Sequence, residues 1–155
     1  MEMNDEIAGR LADAGIVLHE AMPPRHAYVP ATRAGGLLFL SGKTPRVDGA
    51  LRVTGRLGQE LDVDDGVAAA RIAAINALSS LEHEVGLQNV QQILKVTGFV
   101  ASADGFVQQS AVTDGASQLF VDVLAERGRH ARTAIGVAHL PGNAPVELDL
   151  VVQVR

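Results

Sequence analysis

The sequence predicts an α+β domain in which helices cover one face of a mixed β-sheet. Strand-like and helix-like segments follow one another in the order β-β-α-β-α-β-β, which is typical of that class. Apolar residues recur at helical spacing between positions 62 and 86, and a strict two-residue alternation fills Val146–Val154. With 155 residues, a single domain over residues 1–155 is the simplest organisation, and residues 1–22 form an N-terminal helical extension.

The first third of the chain predicts one short helix and one buried strand. Apolar residues recur at helical spacing over residues 4–14, and Gly15 ends that helix. Pro23-Pro24 then breaks the chain. Leu37–Leu40 is a short apolar run with glycines on both sides, which predicts a buried strand. The glycine-rich residues 49–61 predict a hairpin or a loop.

A long helix is expected to begin at Asp62 or Asp64, because either carboxylate can accept hydrogen bonds from the first-turn amides. Gly86 ends it. Its alanine-rich face would allow close packing on a sheet. The apolar positions that define this helix are Val67, Ala70, Ala74, Leu78, Leu81 and Val85.

The second half predicts a strand over Val90–Ala101, a helix over residues 108–127, and two strands, Thr133–Ala138 and Val146–Val154. On the strand over Val90–Ala101, alternation places Leu94, Val96, Gly98 and Val100 on one face and Ile93, Lys95, Thr97 and Phe99 on the other. Apolar side chains interrupt the second sheet face, and such patches usually mark a partner surface. We therefore expect self-association into a closed cyclic assembly.

Composition excludes several classes of function. The formal net charge of −5 and the 3% of aromatic residues disfavour a nucleic-acid interface, which needs a basic patch and stacking rings. There is no cysteine, so there is no disulfide, thiol nucleophile or thiolate metal ligand. No histidine pair has the spacing of a helical metal site, and neither a metal nor a cofactor is predicted. The absence of a secretory pattern and of a membrane-spanning run predicts a cytoplasmic protein.

Two charged residues near the C-terminus are the leading candidates for catalysis. Arg132 stands at the entry to a predicted strand, where its guanidinium could bind a carboxylate with two hydrogen bonds; a surface arginine is the alternative. Glu147 lies in an apolar strand, where desolvation would raise its pKa towards that of a general base. The alternative is a solvent-facing position beside Asp149. We expect Arg132 and Glu147, on adjacent strands, to converge on a pocket walled by a neighbouring subunit.

Five further residues are candidates for substrate contacts: Tyr28, Ser41, Gly42, Lys43 and His130. Tyr28, the single tyrosine, could contact a ligand or simply pack at a sheet edge. Gly42 permits close approach of the backbone, and its amide could bind a carboxylate or an oxyanion. Lys43 could assist an anion or lie in solvent, and His130 lies two residues from Arg132.

These residues resemble the RidA (YjgF-type) family, over about Ala27 to Val154. The resemblance rests on Ser41-Gly42 after an apolar strand, Ala69-Ala70-Arg71, His130-Ala131-Arg132-Thr133-Ala134, Leu140-Pro141 and Val146-Glu147-Leu148, in that order. It implies a chorismate-mutase-like α+β fold of the bacillus type and a homotrimer with three clefts between subunits. The N-terminal helix and the segment 49–61 resemble the extended branch of the family.

The resemblance also implies an activity, namely hydrolysis of reactive enamine and imine acids such as 2-aminoacrylate to 2-keto acids and ammonia. By that resemblance Arg132 grips the substrate carboxylate and Glu147 positions the attacking water. Tyr28, Ser41 and Gly42 line the cleft, and Thr133 helps to place the substrate.

The sequence departs from the short members at two positions, with Ala134 where cysteine is common and Lys43 where glutamine is common. The asparagine that some members place at the cleft aligns near Thr113 or Asp114. Two alternatives to the deaminase follow, a non-catalytic trimer that binds a small carboxylate and an endoribonuclease.

Overall fold

The computed structural model describes residues 4–20 and 26–155 and has the predicted α+β class. Its first half contains helix α1 (Asp5–Asp13), strands β1 (Ala31–Ala34), β2 (Leu37–Lys43), β3 (Arg46–Val47) and β4 (Ala50–Leu51), and helix α2 (Val63–Glu84). Its second half contains strand β5 (Val90–Ala101), helix α3 (Gln109–Leu124) and strands β6 (Ala131–Val137) and β7 (Val146–Val154). The predicted break at Pro23-Pro24 lies outside the described residues.

Five strands form one mixed sheet in the order β1-β2-β7-β5-β6, and β3 and β4 form a separate two-stranded hairpin. All neighbours in the large sheet are antiparallel except β5 and β6, which are parallel. Parallel pairing follows because α3 carries the chain back across the sheet between these two strands. Strand β7 therefore occupies the centre of the sheet, and β6 lies at its edge.

The core lies between one face of the sheet and helices α2 and α3. The alternation predicted for β7 is confirmed, since Val146, Leu148, Leu150, Val152 and Val154 are all buried. Helix α2 contributes a nearly continuous stripe of small side chains, Ala69, Ala70, Ala73, Ala74 and Ala77. Helix α1 packs on α3 through the buried side chains of Ile7 and Leu11.

The ends and the packing of α2 follow from particular residues. Asp62, rather than Asp64, caps the helix: its side chain accepts from the Asp65 amide, and the Asp65 side chain accepts from the Asp62 amide. Gly115 of α3 lies so close to α2 that an added Cβ would overlap the carbonyl of Val67. Glycine at this crossing lets the two helices approach backbone to backbone.

Two predictions for strands are wrong. The faces assigned to β5 are wrong because this strand carries a bulge, and the full burial expected of β2 is wrong because one face of the sheet is open. In β5, the register shifts between Ile93 and Lys95, so Ile93 is fully buried and Leu94 is partly exposed. In β2, Leu38 and Leu40 are buried while Leu37 and Phe39 face outward, so this strand is half-buried. Strand β1 was not predicted, since its sequence Ala-Thr-Arg-Ala carries no apolar alternation.

The sheet face opposite the helices is open within this chain. Phe39 and Ile135 are 45% and 41% exposed on it. The exposure of Ile135 agrees with the apolar interruptions expected on this face, whereas Phe39 was expected in a buried strand. Among the described helices, none is both long and apolar enough to cross a membrane.

Candidate active site

Glu147 lies beside a bulge in β2. The register between β2 and β7 shifts between Leu40 and Lys43, which inserts one extra residue at Ser41-Gly42. An added Cβ on Gly42 would overlap Oε1 of Glu147 and lie 3.0 Å from its Cδ. The carboxyl group thus rests on the bare Cα of Gly42, in space that only a glycine leaves free.

The surroundings of Glu147 disfavour its charged form. Burial is the larger effect and the negative charge of Asp149 the smaller, and both raise the pKa of Glu147 above its ordinary value. Asp149 lies two residues along the same strand and shares its face. A carboxylate with a raised pKa is a stronger base than an ordinary one, and its neutral form can donate a proton.

Ser41 brings a second segment to the same bulge. Its hydroxyl donates to the carbonyl of Val29 at 2.6 Å, and its amide donates to the carbonyl of Pro30 at 2.8 Å. These bonds hold Val29, the neighbour of Tyr28 in the sequence, against β2. Tyr28 is 64% exposed and stacks on His26. We call Tyr28, Ser41, Gly42 and Glu147 the glutamate site.

Arg132 is held on the other side of the sheet by helix α3. Its Nη1 donates to Oδ1 of Asp114 at 2.7 Å and to Oγ of Ser117 at 3.1 Å. Its Nη2 lies 3.4 Å from the carbonyl of Ser110, at the limit of a hydrogen bond. The Arg132 side chain is 21% exposed, whereas the Asp114 side chain is 68% exposed.

His130 joins this cluster through Ser117. Its Nε2 lies 2.9 Å from the Ser117 hydroxyl, and its Nδ1 lies 2.6 Å from the carbonyl of Gly128. Burial and the charge of Arg132 lower the pKa of His130, and the bond to Gly128 partly opposes them. We call Asp114, Ser117, His130 and Arg132 the arginine site.

Arg132 and Glu147 do not meet within one chain, and the expectation that they lie on adjacent strands is wrong. Strand β5 separates β6 from β7. Arg132 is in register with Val96, which is buried under the helices, whereas Glu147 is in register with Phe99 and so faces the open side. The glutamate and arginine sites therefore lie on opposite faces of the sheet, and a shared pocket requires a second chain.

Two other predicted residues have different surroundings. Thr133 lies on the open face, where its hydroxyl accepts from Nζ of Lys95 at 2.7 Å. Lys43 is in register with Leu148, on the helix-covered face and away from Glu147. Burial lowers the pKa of Lys43, and the charge of Glu84 partly offsets this effect.

Sequence reasoning missed Ser117 and Lys95, and it considered Asp114 only as an alignment position. Asp114 and Ser117 are three residues apart on α3, so they lie on one face of the helix. That spacing was visible in the sequence. Their contact with Arg132 was not, because it depends on how α3 packs over β6.

The fold and these two sites define a protein of the chorismate-mutase-like α+β class, and the chain belongs to a family of that class. Residues 8–153 match the model of the family described as "YjgF/chorismate mutase-like, putative endoribonuclease". The resemblance inferred from the sequence and the fold class are thereby confirmed.

The chain is similar to several individual proteins over nearly its full length. Protein TCP17 of Trypanosoma cruzi is 41% identical over 96% of this chain and 94% of its own. The crystal structure of protein Atu1372 of Agrobacterium tumefaciens, of unknown function, is 42% identical with a TM-score of 0.90, covering 97% and 94% of the two chains. A "putative endoribonuclease" of Shewanella oneidensis is 30% identical with a TM-score of 0.91, covering 96% and 99%.

Proposed function

We propose that the protein hydrolyses small enamine and imine acids of the 2-aminoacrylate type to 2-keto acids and ammonia. The observation that carries this proposal is the position of Glu147, a half-buried carboxyl group with a raised pKa, seated against Gly42 at a strand bulge. Such a group can accept a proton from a bound molecule and return it. Membership of the YjgF family supports the same assignment.

The chemistry needs one group that exchanges protons and one that holds an anion. The enamine acid tautomerises when a proton is added to its terminal carbon and one is lost from nitrogen, which gives the imine. Water then adds to the imine carbon as one of its protons passes to the Glu147 carboxylate and the imine nitrogen takes up a proton from solvent, which gives the neutral carbinolamine. The resulting carbinolamine expels ammonia when the nitrogen is protonated and the hydroxyl deprotonated, leaving the keto acid.

Arg132 is the proposed grip for the substrate carboxylate. A guanidinium stays charged at every relevant pH and matches the two oxygens of a carboxylate. Because the arginine and glutamate sites lie on opposite faces within one chain, the proposal assigns them to different subunits of a homotrimer. Each of the three clefts would then receive Glu147 from one subunit and Arg132 from its neighbour. A heterologous ring repeats the same contact at every interface.

Ammonia release from enzymatically generated 2-aminoacrylate tests the activity. We expect turnover by the natural protein and a loss of at least about 100-fold in kcat/KM for Arg132→Ala and for Glu147→Gln. Equal rates for the natural protein and Arg132→Ala would overturn the proposal.

Mixing the two inactive variants tests the assignment to different subunits. In a mixed cyclic trimer, one cleft of the three combines an intact Arg132 with an intact Glu147. Random reassembly of equal amounts should therefore restore about a quarter of the natural activity. No recovery after verified subunit exchange would show that one chain supplies both groups or that the assembly is different.

A second candidate is a trimer that binds a small carboxylate without turnover. Ala134 and Lys43, which depart from the short members' residues, favour this alternative. A pyruvate-dependent rise in melting temperature without ammonia release would support it. The names of relatives also suggest RNA cleavage, but the net charge of −5 disfavours it. RNA cleavage that survives Arg132→Ala and Glu147→Gln would indicate a contaminant.

A further inference from the structure

We propose that Asp114, Ser117 and His130 are positioning residues that fix Arg132 so that one edge of its guanidinium faces the substrate carboxylate. This inference rests on the proposed function, because it assumes that Arg132 binds the substrate. Its basis is the continuous set of contacts from Gly128 through His130 and Ser117 to Arg132, joined by the ion pair with Asp114.

The direction of each hydrogen bond in this series follows from the Gly128 carbonyl at one end of it. The Gly128 carbonyl can only accept, so Nδ1 of His130 carries the proton and donates to it. Nε2 of the neutral ring is then an acceptor, and the Ser117 hydroxyl donates to it. The oxygen of Ser117 keeps its lone pairs for Nη1 of Arg132. The donor and the acceptor of each hydrogen bond in this series are therefore defined.

The ring of His130 is itself held in place. Phe120 of α3 meets it edge to face, with ring centroids 5.8 Å apart and planes at 85°. Burial and the charge of Arg132 lower the pKa of His130 and so favour the neutral ring. A fixed, neutral ring gives Ser117 a single favourable orientation.

These contacts occupy one end of the guanidinium and leave the other available. Asp114 and Ser117 both bind Nη1. Nη2 has the single long contact to the Ser110 carbonyl, and among the described residues Nε has no hydrogen-bond partner. Nε and Nη2 form the lateral edge of the guanidinium, whose two parallel donors fit a carboxylate. The protein therefore holds the end that a substrate would not use.

Fixing this side chain in advance lowers the cost of binding. A free arginine loses a large rotamer entropy when a ligand immobilises it. Arg132 stands on an edge strand, and among the described residues its side-chain hydrogen bonds all go to α3. A preorganised arginine should bind a carboxylate more tightly and with one orientation.

The test measures the affinity for pyruvate by titration calorimetry, together with kcat and KM for 2-aminoacrylate. We expect Ser117→Ala and His130→Gln to weaken pyruvate binding about tenfold, as for one lost hydrogen bond to a charged group. KM should rise by a similar factor while kcat stays within about twofold. Ser117→Thr, which retains the hydroxyl, should bind within about twofold of the natural protein.

A matched control is Gln118→Ala, which removes a hydrogen bond to Asp122 from the exposed side of the same helix. It should leave both constants unchanged, and melting temperatures verify that each variant is folded.

Three outcomes would overturn the inference. If Arg132→Ala weakens pyruvate binding but Ser117→Ala and His130→Gln do not, the positioning role is wrong and the proposed function stands. If Arg132→Ala itself binds pyruvate normally, both this inference and the proposed function are wrong. If kcat rather than KM collapses and a fluorophosphonate labels Ser117, this serine is a nucleophile and not a positioning residue.

Discussion

Replacing Gly42 with alanine should disable Glu147 without unfolding the protein. The new methyl group would overlap Oε1 of Glu147 and lie 3.0 Å and 3.3 Å from its Cδ and Cγ. All three nearest atoms belong to one side chain and none to the backbone. The side chain can swing away into the open face, so the strand pairing of β2 and β7 should survive.

The expected size of the effect follows from that overlap. The carboxyl oxygen must move by about 1 Å or more to restore an ordinary contact, and a misplacement of about 1 Å costs on the order of 100-fold in rate. Rotating one partly exposed side chain costs much less than disrupting a core. We therefore expect the free energy of unfolding to fall by no more than about 1 kcal/mol.

Steady-state ammonia release and denaturant unfolding measure the two effects separately. Gly36→Ala is the matched control, because its new Cβ would meet only the Val154 carbonyl at an ordinary 3.5 Å. Combining Gly42→Ala with Glu147→Asp adds a second test: the shorter side chain avoids the methyl group, so the double variant should be no slower than Glu147→Asp alone. Full activity of folded Gly42→Ala would refute the assignment of Glu147 to catalysis.

Three further predictions concern stability. Because the pKa of Glu147 is raised in the folded state, this group contributes to stability below about pH 4.5, and the contribution is lost as pH rises through the folded-state pKa. Glu147→Gln should therefore melt about 1–2 °C higher than the natural protein at pH 7.5. An equal or lower melting temperature would contradict this. The folded-state pKa of His130 is lowered, so stability should fall as pH drops below about 6.5, and in urea titrations His130→Gln should show a smaller loss between pH 7.5 and pH 5.5. Ala125 has φ 54° and ψ −132°, a region suited to glycine, so Ala125→Gly should raise the free energy of unfolding by about 1 kcal/mol, whereas Ala111→Gly inside α3 should lower it by a similar amount.

The helices and the central strand could be predicted because their signals are local. Spacing along the chain determines which side chains share a face of α2, and alternation does the same for β7. The C-terminal match through Arg132 and Glu147 also identified the family correctly. Strand β5 shows the limit of such reasoning, because its bulges shift the register by one residue. Neither Leu94 nor Lys95 is of a residue type that predicts a bulge.

The candidate site divides in the same way. The sequence by itself determined the residue types: a permanently charged guanidinium, a carboxyl group in an apolar strand and a glycine that follows another apolar strand. Only the tertiary structure decided that β5 lies between β6 and β7, so that Arg132 and Glu147 occupy opposite faces. The physical reason is that strand order and register arise from pairing between segments far apart in the chain. The same long-range packing brings Asp114 and Ser117 of α3 onto Arg132, a contact that spacing along the sequence does not encode.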